Sequence, residues 1–83
     1  MSSYTVLESN ILNSLYSFEK ELFFTNNLEL AKKIATHYAK KKYGENIIVE
    51  NKINLKKMCI LRNSIIYYRN SENNNYIYSI VKN

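Results

Sequence analysis

The 83-residue chain contains no aspartate, proline or tryptophan, and it has one glycine and one cysteine. A single glycine excludes a glycine-rich phosphate-binding loop, because such loops need several glycines to bring backbone N–H groups close to a phosphate. A single cysteine excludes an internal disulfide and is typical of a reducing compartment, so we expect the cytoplasm of a host cell. Without aspartate, paired carboxylates for acid–base catalysis would have to be glutamates. The glutamates have the spacing that is ordinary on a helix surface, so the sequence does not indicate a catalytic pair.

Metal-binding and nucleophilic side chains are equally scarce. His37 and Cys59 are the only histidine and cysteine, whereas a structural zinc site needs four ligands. Cys59 lies within the apolar stretch MCIL, where a small core residue is expected, and no third group is spaced to orient a Cys–His pair. We therefore expect no metal, no cofactor and no catalytic residue, and we predict that the protein is not an enzyme.

Long apolar runs and a targeting segment are also missing. No stretch of 18 apolar residues occurs, so the sequence predicts no membrane span. The first residues, MSSYTVLESN, have neither a basic start nor an apolar core, so we expect no signal peptide. The apolar fraction of 46% is normal for a globular protein, and the length suits one domain, so we predict a single domain over residues 1–83.

Asparagine, lysine, isoleucine and tyrosine are abundant instead, with thirteen asparagines and eight tyrosines. A/T-rich codons encode all four residue types, which favours an A/T-rich genome such as that of a virus or another mobile element. The formal net charge is +5, and it is distributed unevenly. Residues 27–44 carry five lysines against Glu29, net +4, whereas residues 1–26 carry a net charge of −2. This basic segment suits either a solvated helix face or a site for an acidic partner.

Apolar residues in the N-terminal part follow a helical period, which predicts a helix over 5–24. The main stripe is formed by Leu7, Ile11, Leu15, Phe18 and Leu22. A second stripe consists of Leu12, Tyr16 and Phe23. Either the rest of the fold covers this second stripe, or a second copy of the chain covers it in a symmetric homodimer, because small domains avoid an exposed apolar patch.

A second helix is predicted over 27–43, with Asn26 as its N-cap, Glu29 completing a capping box and Gly44 at its end. After Gly44, short segments rich in isoleucine, valine and tyrosine predict strands at about 46–50, 57–62, 65–69 and 76–81. The stretch 53–68 also has helical spacing, so both interpretations are open there. We predict an α+β domain in which two N-terminal helices pack on one face of a three- or four-stranded antiparallel β-meander.

The second helix carries all five lysines of the basic segment, namely Lys32, Lys33, Lys40, Lys41 and Lys42. The last three complement the negative end of the helix dipole, and a solvated helix face is normally charged, so capping and solubility are one interpretation. Lys32 and Lys33 lie outside the last turn, and Glu29 is the only acid in the helix, so a binding site for a polyanion or an acidic protein is the other.

Tyrosines on the last two predicted strands offer a second candidate surface. Tyrosine suits strands for structural reasons alone, but an open sheet face with Tyr67 or Tyr76 beside Arg62 or Arg69 would let bases stack at about 1–3 kcal/mol each. We hypothesise a small, basic, non-enzymatic protein that binds DNA or RNA through these residues and the five lysines. The alternative is a viral-type inhibitor or adaptor that docks on an acidic surface of a host protein.

Overall fold

A computed structural model of the chain describes residues 2–11, 17–50, 64–70 and 76–83. Within these residues the structure has one helix and five strands, and the strands form a single antiparallel sheet. The elements in chain order are β1 (Tyr4–Ile11), β2 (Ser17–Thr25), α1 (Leu28–Tyr43), β3 (Ile48–Glu50), β4 (Ser64–Arg69) and β5 (Tyr76–Lys82). The order across the sheet is β2–β1–β5–β4–β3, so β5 is central and pairs with β1 and β4.

The predicted helix over 5–24 is wrong, and with it the fold of two N-terminal helices on a meander. β1 and β2 occupy the described residues of this region and pair antiparallel, from Tyr4 opposite Thr25 to Ile11 opposite Ser17. The described chain is therefore mostly β-structure, with one helix on a five-stranded sheet. The helical spacing of leucines and isoleucines over 5–24 is an accident of composition that the strand pairing overrides.

Two features of these strands hide the period of two that marks a half-buried strand. β1 lies between β2 and β5, and apolar side chains point to both of its faces at Val6 and Leu7. In β2 a bulge breaks the alternation, since Val6 pairs with Phe23 but Leu7 pairs with Glu21, leaving Leu22 as the extra residue. Leu22 and Phe23 both pack against the core as a result.

Helix α1 covers 28–43, in agreement with the predicted span of 27–43 to within one residue. Asn27, and not Asn26, is the N-cap: its side-chain oxygen accepts a hydrogen bond from the backbone N–H of Leu30 at 3.2 Å. Gly44 ends the helix with a φ of 70°, a backbone conformation that glycine adopts without strain, and its N–H donates to the carbonyl of Lys40 at 2.8 Å.

The main core lies between α1 and one face of the sheet, which we call the helix face. Ala31, Ala35 and Ala39 recur every four residues and are fully buried there. The sheet contributes Val6, Ile66, Tyr68, Tyr78 and Ile80 to the same cluster. Because these residues alternate along β1, β4 and β5 with Leu7, Tyr67 and Ser79, the latter point to the opposite face.

Three of the four predicted C-terminal strands correspond to observed ones: 46–50 to β3, 65–69 to β4 and 76–81 to β5. The strand predicted at 57–62 lies outside the described residues. The choice between strand and helix over 53–68 is decided for 64–68, which form part of β4, while 53–63 lie outside the described residues. In the part of the chain that the structure describes, no helix is long and apolar enough to cross a membrane.

Candidate functional site

Helix α1 presents its lysines to solvent because its opposite side is buried against the sheet. The three alanines of the core allow the helix to lie close to the strands. The lysines occupy the rest of the helix surface: Lys33, Lys40, Lys41 and Lys42 are exposed, and Lys32 is partly exposed. The structure thus brings all five lysines of the predicted site together on one element.

Few acidic groups neutralise these lysines. Lys32 Nζ lies 3.4 Å from Glu29 Oε1, and both side chains are substantially exposed, so this pair contributes about 0–1 kcal/mol. Among the residues that the structure describes, Lys33, Lys40 and Lys41 make no ion pair. The helix surface therefore keeps most of the positive charge that the sequence assigns to it.

A shallow groove of about 390 Å³ runs along this exposed side of α1. We call it the lysine groove, and it is lined by Glu29, Lys32, Lys33, Thr36, His37 and Lys40. Lys33 and Lys40 are seven residues apart, which places them two turns apart on one side of the helix, with a rise of about 10 Å between them. The lysine groove is thus a linear array of cations, which suits a partner with regularly spaced negative charges.

A second groove, of about 350 Å³, lies between the C-terminal half of α1 and the sheet. We call it the tyrosine groove, and it is lined by Glu8, Tyr38, Lys41, Lys42 and Tyr78. The ring of Tyr38 stacks on that of Tyr78, with centroids 6.1 Å apart and an interplanar angle of 23°. Tyr43 meets the same ring edge-on at 6.0 Å and 66°. These aromatic contacts fix one wall of the groove.

Glu8 gives the tyrosine groove a carboxylate acceptor. The hydroxyl of Tyr78 donates to Glu8 Oε2 at 2.9 Å, which orients the carboxylate. Its other oxygen, Oε1, receives no hydrogen bond from the described residues, and Glu8 makes no ion pair with Lys41 or Lys42. Lys42 instead places its Nζ 3.9 Å from the centroid of the Tyr76 ring. Opposite charges therefore line one groove without contacting each other.

The phenols beside the groove stay protonated over a wide pH range. Burial raises the pKa of Tyr43 to about 12, with a smaller contribution from the negative charge of Glu8. Burial also raises the pKa of Tyr78, and so do its hydrogen bond to Glu8 and the Glu8 charge. The Tyr43 hydroxyl donates to the backbone carbonyl of Tyr76. Both tyrosines thus act as hydrogen-bond donors that hold β5, α1 and Glu8 in place.

The predicted tyrosine–arginine platform is divided between the two faces of the sheet. Tyr76 lies on the helix face beneath Lys42, whereas Tyr67 and Arg69 lie on the opposite face. Tyr67 is only 4% exposed, and its hydroxyl donates to Glu50 Oε2 at 2.6 Å. Arg69 Nε and Nη2 each lie 2.6 Å from Glu50 Oε1. Tyr67 and Arg69 are thus engaged with Glu50, and the predicted Arg62 lies outside the described residues.

The residues predicted for a dimer interface no longer form a helical stripe, because the helix that would carry them is absent. Phe23 lies in β2 and packs against the core, while Leu12 and Tyr16 lie outside the described residues. A homodimer stays a prediction. The large apolar side chains that the described sheet does expose are Phe18 (66%) and Phe24 (62%) of β2 and Val49 of β3.

Sequence reasoning missed the tyrosine groove, although one signal for it was present. Alternation along β5 places Tyr76, Tyr78 and Ile80 on one face, and this is the face that α1 covers. Glu8 was assigned to a helix surface, so nothing brought it near Tyr78, which lies 70 residues further along the chain. Within residues 2–11, 17–50, 64–70 and 76–83, no three histidine, cysteine or acidic side chains cluster in a way that would hold a metal ion.

Comparison of the chain with protein-family models, with curated proteins and with solved structures gives no match. No family is therefore shown, and what the protein does must be inferred from the chemistry of its own residues.

Proposed function

We propose that this protein binds nucleic acid, and that helix α1 contacts the phosphates. The observation that carries the proposal is the set of exposed lysines on α1, of which Lys33, Lys40 and Lys41 have no acidic partner among the described residues. Unpaired cations held on a rigid element attract a polyanion and release its condensed counterions, which supplies most of the sequence-independent affinity for nucleic acid. The alanine side of α1, packed on the sheet, keeps the array rigid.

The composition of the exposed helix surface favours a nucleic acid over an acidic protein. Interfaces between proteins are depleted in lysine and depend on buried tyrosine, tryptophan and arginine. The lysine groove contains no such residue, since its members are lysines, Glu29, Thr36 and His37. Lysine is by contrast a common point charge for phosphates. Docking on an acidic host protein is kept as the alternative outcome of the experiment.

The test is a binding titration with fluorescently labelled duplex DNA and RNA at low salt, for the wild-type protein and for Lys33→Glu combined with Lys40→Glu. We expect the double variant to bind at least tenfold more weakly to every sequence alike, because phosphate contacts position the protein but carry no base information. Circular dichroism should show an unchanged fold, since both side chains are exposed.

Single variants provide a matched control, because Lys40→Glu and Lys82→Glu change the net charge by the same amount. Lys82 is exposed at the end of β5 and lies outside both grooves. We expect Lys40→Glu to weaken binding several-fold more than Lys82→Glu. Equal losses would show that only net charge matters, and no binding of any DNA or RNA by the wild type would contradict the proposal. A host protein that the wild type retains and the double variant loses would then support the alternative.

A further inference from the structure

We infer that the tyrosine groove holds one unpaired nucleotide of a bound strand, an inference that rests on the proposed function and deepens it. The groove lies at the C-terminal end of the lysine array, where Lys40 lines one groove and Lys41 and Lys42 line the other. A nucleic-acid strand that binds the lysines along α1 therefore reaches the tyrosine groove. Its volume of about 350 Å³ is at the small end of the range of about 300–1,000 Å³ that is typical of ligand sites.

The groups that line the groove match the phosphate and the base of a nucleotide. Lys41 and Lys42 are exposed cations that suit the phosphate. The Tyr38 ring lines the wall and suits a base, since aromatic side chains stack on unpaired bases. Glu8 repels a phosphate but accepts hydrogen bonds, so it suits the amino group of a base. The lysine groove contains no tyrosine, and the only ring in its lining is that of His37, which distinguishes the chemistry of the two grooves.

The charges around Glu8 indicate that one oxygen of its carboxylate is available to a hydrogen-bond donor of a bound ligand. Lys41 and Lys42 line the same groove as Glu8, yet neither pairs with it. Tyr78 holds one oxygen of Glu8 and leaves Oε1 without a donor among the described residues. A carboxylate that is already fixed in the lining of an open groove costs little reorganisation when a ligand donor arrives. Tyr78 is accordingly a positioning residue for Glu8.

Two preferences follow from this chemistry. Bases in a duplex are stacked and paired, so only an unpaired base can enter a groove between a helix and a sheet, and single strands should bind more tightly than duplexes of equal length. Cytosine carries an amino donor where thymine carries a carbonyl oxygen. A carboxylate acceptor should therefore favour oligo(dC) over oligo(dT), by roughly tenfold for one hydrogen bond to a charged group.

The experiment measures fluorescence anisotropy with oligo(dC), oligo(dT) and a mixed-sequence duplex of equal length, for the wild type, Glu8→Gln and Glu21→Gln. Glu21→Gln is the matched control, because Glu21 is an exposed glutamate of β2 that lines neither groove. We expect the wild type and Glu21→Gln to prefer oligo(dC) to oligo(dT) and single strands to the duplex. Glu8→Gln should lose the preference for oligo(dC) while it retains the salt-dependent affinity that the lysines supply.

Four results would overturn the inference, and they separate its failure from that of the proposed function. Equal binding of all three probes, or a preference for oligo(dC) that survives Glu8→Gln, would remove the nucleotide site while binding through the lysine groove stands. Absence of binding to every probe would remove both proposals. Displacement of the strand by an equimolar amount of free cytidine monophosphate would show that the groove takes a free nucleotide and not a strand. Thermal unfolding of each variant confirms that the fold is intact.

Discussion

Two glutamates of this protein make the same contact and have different surroundings. Glu8 accepts a hydrogen bond from Tyr78 on the helix face, and Glu50 accepts one from Tyr67 on the opposite face. Arg69 occupies the second oxygen of Glu50, whereas the second oxygen of Glu8 has no donor among the described residues. Both carboxylate oxygens of Glu50 therefore have partners, and these contacts link β3 to β4. The Glu8–Tyr78 pair, without an arginine, faces a groove lined by lysines that do not contact it.

The difference distinguishes a pairing of side chains that is complete within the fold from one that we propose serves binding. Hydrogen bonds from Tyr67 and then from Arg69 hold the pKa of Glu50 below its usual value, as expected for a carboxylate whose charged form is stabilised by its neighbours. Glu8 lies at the edge of the core, where Tyr78 fixes its position but no cation pairs with it. We expect loss of a Glu50 contact to change folding and loss of Glu8 to change binding.

The largest expected effect on stability comes from removing Arg69 from the cluster that it forms with Glu50 and Tyr67. Arg69→Ala removes the ion pair and the hydrogen bond from Arg69 to Glu50, and it should lower the free energy of unfolding by about 1–2 kcal/mol. Glu8→Gln keeps an acceptor for Tyr78 and should cost less than about 0.5 kcal/mol. Urea unfolding measures both changes, with Lys82→Ala as the control for an exposed cation. A larger loss for Glu8→Gln than for Arg69→Ala would reverse the two roles.

A smaller effect concerns the phenol that fixes the end of α1 to β5. Tyr43→Phe removes the hydrogen bond to the carbonyl of Tyr76 and should cost about 1 kcal/mol at neutral pH. The wild type should lose stability as the pH rises from 10 towards about 12, because the unfolded chain releases the Tyr43 proton more readily than the folded chain does.

The variant lacks this titrating group, so its stability should fall less steeply over the same pH window. Unfolding curves at neutral pH and at several values between pH 10 and about 12 measure the two slopes. Parallel curves for the wild type and Tyr43→Phe would show that the Tyr43 phenol is not buried as the structure indicates.

The smallest expected effect is an acid dependence that comes from Glu50. Its pKa is lowered from 4.5 in the folded chain, so its contribution is present above about pH 4.5 and is lost as the pH falls through the folded value. Arg69→Ala removes one cause of the lowered pKa, so the variant should lose less additional stability between neutral pH and the acid range. The same acid loss in both proteins would assign the effect to other carboxylates.

Sequence patterns predicted the elements whose signals are local. Helix α1 has a capping asparagine, a regular alanine side and a terminal glycine, and β4 and β5 are rich in β-branched and aromatic residues. The N-terminal strand pair was not predicted because β1 has apolar side chains on both faces, at Val6 and Leu7, and the edge strand β2 contains a bulge. Because of these two features, the sequence does not show the alternation of apolar and polar residues on which strand prediction depends.

The two parts of the candidate site, the lysines of α1 and the tyrosine groove, differ in the same respect. The lysines of α1 were found from charge alone, because a single helix displays neighbouring turns on one surface. The tyrosine groove depends on Glu8 and Tyr78 meeting across two paired strands from opposite ends of the chain. Such a contact depends on sheet order and register, which cannot be derived from a sequence whose N-terminal part predicts a helix.

The most direct test of phosphate binding by α1 is the slope of log affinity against log salt concentration on duplex DNA. With about four phosphate contacts the wild type should show a slope of about −3.6, and Lys33→Glu combined with Lys40→Glu should reduce it to about −1.8, because each lost contact removes about 0.9. A slope near zero, or the same slope in both proteins, would contradict the account.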